Sequence, residues 1–311
     1  VRQRATSVLA ACGLAGIILT GCTAESTPAV GTVPPADEVS EPSEPGQPFD
    51  IILGRQVGLI DHTHMKIRDR CMAEAGYRQN IDTAPTRPED PFSFLTVSVR
   101  DFGPTSEEEA RRAGFGSDTQ AAPARVVSTD ANFDKAADRC ADQAWNEFGP
   151  GARQAVTDYS DLVNALAPYR KEIDAELAPD LPAKMFDCMA ERGYRAPDRE
   201  AFLKTPRHQL FGVAYGRLDG GAEDAWKPVR KPGTVEIGPA IPVRKYTPTP
   251  QESELAVAWF HCGQKTGRTA AQLAAVQEVQ QRYVDEHQTW IDELNPVIEE
   301  LARRASAIGG S

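Results

Sequence analysis

The chain has 311 residues, enough for one large domain or two of about 100–150 residues. Hydrophobic residues make up 41% and charged residues 25%, the balance of a chain that can bury a core. A formal net charge of −11 argues against a nucleic-acid partner, which needs a basic surface, and against adhesion of the folded part to anionic lipid headgroups.

The first stretch reads "VRQRATSVLAACGLAGIILTGC". Arg2 and Arg4 form a short basic region. The apolar run that follows, residues 5–19, is too short for a membrane span. It ends in "LTGC", residues 19–22, which resembles the lipobox of bacterial lipoproteins: a Leu, two small residues and an obligatory Cys. The resemblance implies a signal peptide over 1–21, cleavage before Cys22, a diacylglycerol on the Cys22 sulfur and an acyl chain such as palmitate on the new N-terminus. It places the protein on the extracytoplasmic face of the cell membrane, since several acyl chains anchor firmly where one does not. Residues 22–47 include "ESTPAVGTVPPADEVSEPSEPG", rich in Pro, Ser, Glu and Gly. Such a segment buries too little apolar surface to offset chain entropy, which predicts a disordered tether.

The folded body is expected to begin near Pro48. Val57, Ile60, His64, Ile67 and Cys71 stand at helical spacing, and Gly76 then stops the helix. Here "CMAEAGYR" occupies residues 71–78, and "CMAERGYR" occupies 188–195, identical at seven of eight positions. With Gly76 as the left-handed residue after a helix, Met72 and Tyr77 take the positions that meet in a Schellman motif; Met189, Gly193 and Tyr194 repeat the pattern.

A second cysteine helix follows each copy. Ser128 or Thr129 caps the first, with Phe133, Ala136 or Ala137, Cys140 and Ala144 on one face. Thr249 caps the second, with Pro250 in its first turn ahead of Cys262. The first connection carries Leu95, Val97 and Val99 in strand-like alternation. A capping box follows, Thr105 with Glu108 or Ser106 with Glu109, before a short helix closed by Gly114. The second connection, "KPGTVEIGPAIPVRKYTPTP", is too rich in Pro and Gly for a helix and reads as loop or edge strand.

Another helix follows each second cysteine. Val156, Tyr159, Val163 and Leu166 mark the first, ended by Pro168. Leu273, Val276, Gln280, Tyr283, His287, Trp290 and Leu294 mark the second, interrupted at Pro296. A coiled coil is the competing reading of that stripe, but Gln280, His287 and Pro296 favour an internal packing helix. "EIDAEL" at 172–177 and "WIDELN" at 290–295 occupy similar places. The expected fold is mainly α: two tandem helical repeats, 48–168 and 169–311, with long irregular connections and a few short strands. The body resembles uncharacterised secreted or lipid-anchored proteins of high-GC Gram-positive bacteria that carry Cys-Met-x-x-x-Gly-aromatic motifs, a resemblance that implies no activity.

Cys12 leaves with the signal peptide and Cys22 takes the lipid. Cys71, Cys140, Cys188 and Cys262 remain, an even number in an exported chain, and predict disulfides. The duplication favours Cys71–Cys140 and Cys188–Cys262 over a Cys71–Cys188 staple. Reactive thiols are disfavoured, because Cys71 and Cys188 lie near helix C-termini, where the dipole opposes a thiolate.

Chemistry-bearing motifs are few. In "DHTH" at 61–64, Asp61 and His64 share a helix face while His62 points elsewhere; two ligands make no zinc site, and an exposed His62 and half-buried His64 are expected. "EEE" at 107–109 reads as a solvated helix start. "GFG" at 114–116 lacks the third Gly of a dinucleotide site. Nucleophile-elbow, zinc-protease and phosphate-loop signatures are missing from the sequence. Core packing is the expected role of Trp145, Trp259 and Trp290, and Trp226 is the best candidate for an exposed contact. No catalytic, cofactor or metal residue is assigned. The expectation is a non-catalytic, lipid-anchored binding or accessory module for an envelope polymer, peptide or protein. The alternatives are an envelope hydrolase using carboxylates in a cleft, or the solute-binding lipoprotein of a transporter, which needs two α/β lobes.

Overall fold

The computed structural model describes residues 46–79, 86–220 and 226–309. The expected signal peptide and Cys22 lie outside the described residues, as does all of the tether but its end. Among the described residues there are eight α-helices and four short strands, and no helix is long and apolar enough to cross a membrane.

Helix α1, Gly54–Glu74, buries Val57, Ile60, Cys71 and Met72. Its end is the expected Schellman motif. The Tyr77 N–H donates to the Met72 carbonyl at 2.8 Å and the Gly76 N–H to the Ala73 carbonyl at 3.1 Å, with Gly76 at φ +98°. A short helix, α2, spans Glu107–Ala113; α3 then spans Ala131–Phe148 and α4 Ala152–Leu166. Helix α5, Leu181–Glu191, then ends as α1 does: Tyr194 donates to Met189 at 2.9 Å, Gly193 donates to Ala190 at 3.0 Å, and Gly193 has φ +88°. A Cβ at Gly76 or Gly193 would meet nothing within 4 Å, so backbone conformation alone demands glycine there. Tyr77 packs edge-on against Phe133 on α3, and Tyr194 edge-on against Phe211.

Helix α3 buries Phe133, Ala136, Cys140, Ala144 and Phe148, the three-and-four spacing of one face. Its cap differs from expectation. Asp130, not Ser128 or Thr129, accepts from the Asn132 N–H at 2.8 Å. Ser128 ends strand β1, Val126–Ser128, and the Thr129 hydroxyl is spent on the Lys231 carbonyl. Helices α6, Arg199–Lys204, and α7, Pro250–Thr266, follow. Thr249 caps α7, accepting from the Glu252 N–H at 3.1 Å. Both expected disulfides are formed. Cys71–Cys140 joins α1 to α3 with Cα atoms 5.6 Å apart, and Cys188–Cys262 joins α5 to α7 at 5.7 Å.

The connections cross over one another. β1 pairs antiparallel with β3, Val235–Ile237, and β2, Arg217–Leu218, pairs with β4, Tyr246–Thr247. The Gly- and Pro-rich stretch is thus edge strand and loop, as read. The strand expected over Leu95, Val97 and Val99 is instead two 3-10 turns, Ser93–Leu95 and Val99–Phe102. Side chains take the backbone groups a strand would use: the Tyr169 hydroxyl donates to the Leu95 carbonyl at 2.5 Å, and Arg170 donates to the carbonyls of Phe94 and Thr96. In α2 the cap is Ser106, but the Glu109 carboxylate reaches back to Thr105 rather than to Ser106.

Helix α8 runs unbroken from Arg268 to Gly309, so Pro296 does not interrupt it. Pro296 and Asp292, whose carbonyl it leaves without an N–H, are both exposed, so water can take that carbonyl. Burial of Ile291, Ile298 and Leu301 on either side offsets the lost bond. Val276, Val279, Tyr283 and Ile298 of α8 share one core with Val57 and Ile60 of α1 and with Tyr159, Leu162 and Leu166 of α4. The boundary expected between 168 and 169 falls inside this core, between Leu166 and Tyr169, both fully buried. Smaller clusters surround each disulfide.

Each disulfide closes a long loop, separating its cysteines by 69 and 74 residues. Replacing Cys188 and Cys262 together by Ala should cost about 2–4 kcal/mol in urea unfolding, and Gly193→Ala about 1 kcal/mol. A Gly193→Ala variant as stable as the parent would contradict the cap assignment.

Candidate ligand-binding cleft

The second disulfide fixes α7, and α7 carries Trp259 one turn before Cys262. Trp259 is buried, and its indole N–H donates to the Phe102 carbonyl at 3.2 Å. The Arg268 guanidinium lies over its ring, 5.2 Å from the centroid. Phe115 and His208 stack at 3.7 Å, nearly parallel, and both stand edge-on to Trp259. These residues wall a cleft of about 910 Å³, bounded also by the 97–104 turn, the Tyr169–Asp174 region and the first turns of α8.

A buried carboxylate shapes the floor behind this wall. Glu252 is completely buried and accepts from the Phe115 N–H at 3.0 Å, the Gly216 N–H at 2.6 Å and the Tyr246 hydroxyl at 2.9 Å. This explains "GFG" at 114–116. A Cβ on Gly114 would come within 2.6 Å of the Glu252 carboxylate, and one on Gly116 within 2.2 Å of the Tyr246 ring. The two glycines let the loop close on Glu252 and hold Phe115 out toward His208.

His208 is neutral in this setting. Burial pushes its pKa down to about 4, against a smaller upward pull from Glu252, and Arg268 adds a still smaller downward push. Its Nδ1 lies 2.6 Å from the Tyr215 hydroxyl. Burial and the nearby Glu252 raise the Tyr215 pKa well above its ordinary value, so that hydroxyl also stays uncharged.

The charged groups of the cleft divide into paired and unpaired. Arg100 is paired with Glu109, and Arg170 lies 3.9 Å from Asp101 while serving the 94–96 carbonyls. Burial raises the Glu109 carboxyl, but hydrogen bonds from Thr105 and the charges of Arg100 and Arg112 outweigh it, so Glu109 sits below its ordinary value. Arg268 and Gln272 stand apart. They are 5% and 4% exposed, one turn apart on α8, and both line the cleft. Among the described residues neither side chain has a hydrogen bond or ion pair, and Asp174 attracts Arg268 only from beyond ion-pair distance.

Most residues singled out from sequence lie elsewhere. Cys71, Met72, Gly76 and Tyr77 belong to the first disulfide's end. Of the second octapeptide, Cys188 and Met189 are buried in the cluster that contains Trp259, and Tyr194 packs at its edge. His62 is buried at 7% exposure, contrary to expectation, while His64 is half-buried and stacks on Trp145 at 4.3 Å. Among the described residues no group of three or more His, Cys, Asp or Glu could hold a metal ion. Glu107 is half-buried and pairs with Arg111 and His261. Trp226 lies against the backbone of Gly238, so Trp259 rather than Trp226 serves the cleft. Arg268, Gln272 and Phe115 carry no motif of a site in the sequence, and His208 stands alone there. One signal was present: Arg268 opens a helix, where the dipole disfavours a cation.

Fold and cleft together define a mainly helical, doubly disulfide-bonded protein with a mixed aromatic and basic cleft. No protein-family description matches the chain, and neither the curated proteins nor the solved structures contain a match to it.

The neutral His208 gives a pH test. Its folded pKa is lowered, so its contribution to stability is present above the unfolded value of about 6.5 and is lost as pH falls toward 4. For a half-buried ring the loss is about 1–2 kcal/mol. Urea unfolding of His208→Phe at pH 7 and pH 4.5 should show a shallower loss than the parent by that amount; identical losses would contradict a neutral, desolvated His208.

Proposed function

We propose that this chain is an exported, lipid-anchored protein of the bacterial cell envelope, duplicated in sequence, that binds a ligand in the Trp259 cleft without transforming it. The ligand is an envelope polymer, a peptide or a segment of a partner protein. The anchor rests on the order of the N-terminal sequence: basic start, short apolar run, "LTGC" ending at Cys22, then a Pro-rich acidic tether. Two disulfides agree with an oxidising location outside the cytoplasm.

The observation that carries the binding reading is the pair Arg268 and Gln272, buried at the cleft with no side-chain hydrogen bond or ion pair among the described residues. A buried polar group left unpaired costs about 1–3 kcal/mol, more for a charge, which a bound ligand recovers. A hydrolase working with two carboxylates needs a general acid whose pKa is raised. Glu109 is held down instead and is committed to Arg100 and Thr105. A transporter's solute-binding lipoprotein needs two α/β lobes, whereas the sheets here are two-stranded ribbons on a helical body.

Metabolic labelling with a clickable fatty acid should mark the wild type and leave Cys22→Ala unmarked; equal labelling would refute the anchor. Purified protein incubated with cell-wall fragments should release no soluble product over time. Release at steady turnover would refute the non-catalytic reading.

A further inference from the structure

We propose that the cleft takes an organic monoanion, with its carboxylate held by Arg268 and Gln272 and its apolar body lying along Phe115, Phe102 and Leu210. This rests on the cleft being a binding site, and adds the chemical class of the ligand.

The anchoring groups argue for an anion. Arg268 keeps a full set of guanidinium N–H donors with no acceptor among the described residues, while being 95% removed from solvent. The guanidinium carbon lies over the Trp259 ring, a contact that spends none of its N–H donors and leaves the N–H fork for a ligand. A carboxylate matches that fork with two parallel hydrogen bonds. Gln272 lies one turn further on the same face of α8, where its side-chain amide can donate to the same group. The start of α8 adds partial positive charge at this end of the cleft.

The charge balance of the lining argues for a single negative charge. Arg100 and Arg170 are matched by Glu109 and Asp101. Among the lining side chains Arg207 and Arg268 then face Asp174 alone and neutral His208 contributes nothing, which leaves one excess positive charge; the Glu252 carboxylate lies behind the wall, taken up by the Phe115, Gly216 and Tyr246 donors. A phosphate dianion would exceed that charge beside Asp174. The volume of about 910 Å³ is at the upper end of small-molecule sites and far larger than an inorganic ion requires. Phe115, Phe102 and Leu210 are half-buried in its wall and supply the apolar surface.

The test uses the purified exported protein with benzoate and hexanoate as probes, benzyl alcohol as neutral control, inorganic phosphate, and soluble cell-wall fragments in parallel. Ligand-observed NMR and titration calorimetry give the affinities. Both carboxylates should bind the wild type at least tenfold more tightly than benzyl alcohol or phosphate do. Arg268→Gln should weaken them at least tenfold, and Gln272→Leu several-fold. Arg268→Lys, which keeps the charge and loses the fork, should fall between wild type and Arg268→Gln. If Arg268→Gln does not fold, Gln272→Leu and Arg268→Lys must both weaken binding, and unchanged affinity in either overturns the assignment. Carboxylates that fail to bind, bind Arg268→Gln equally well, or bind less tightly than phosphate also overturn it. Wall fragments binding without the carboxylates would overturn the ligand class and leave the binding reading standing; no binding by any probe or fragment would overturn both.

Discussion

Gln280 is completely buried on helix α8, and its amide must be satisfied inside the core. Its carbonyl accepts from the Phe49 N–H at 3.4 Å, and its NH2 donates to Gln47 at 3.1 Å and to the Leu95 carbonyl at 3.3 Å. The Leu95 carbonyl also takes the Tyr169 hydroxyl. One side chain therefore ties the entry of the folded body, the first connection and the Tyr169 turn to the last helix. Removing it would strand the Phe49 N–H and leave the Gln47 amide oxygen and the Leu95 carbonyl each with one donor fewer, and sliding α8 by one residue would have the same effect. The network sets the rotation and register of α8, and the apolar contacts with α1 and α4 fill in around that setting.

That register reaches the cleft. Arg268, Gln272, Val276 and Gln280 follow one another at four-residue intervals along the buried side of α8. Where the side meets the core it is closed by Val276 and Gln280; where it passes Trp259 it opens into the cleft as Arg268 and Gln272. The Cys188–Cys262 bridge holds the opposite wall by fixing α7. Glu252, gathering the Phe115, Gly216 and Tyr246 groups, positions the aromatic side. Rigid packing thus leaves a guanidinium and an amide with no hydrogen-bond acceptor or donor among the described residues, a costly arrangement that pre-organises the site for an occupant.

What could be read from the sequence was what local chemistry decides. The Gly76 and Gly193 caps, the Thr249 cap and both cysteine pairings depend on residues close in sequence or on a pattern given twice. The larger misreadings involve packing or partners distant in sequence. Leu95 to Val99 alternates like a strand, but Tyr169, Arg170 and Gln280 claim its carbonyls. Pro296 looks like a break, but the packing of α8 on both sides carries the helix through it. The cleft was illegible because its walls come from the first connection, the second connection and two helices. Only the misplaced cation at the start of α8 hinted at it.

The first sequence half and the last helix of the second share one core, although each half carries its own disulfide-clamped helix pair. Equilibrium urea unfolding tests this most directly, followed by fluorescence in two variants that keep only Trp145, beside the first pair, or only Trp259, beside the second, with the other tryptophans changed to Phe. Coincident midpoints and slopes are expected, because α8 completes the core lined by α1 and α4 and also packs against α7 beside the second pair. Two separated transitions, with one half still folded while the other is unfolded, would contradict a shared core.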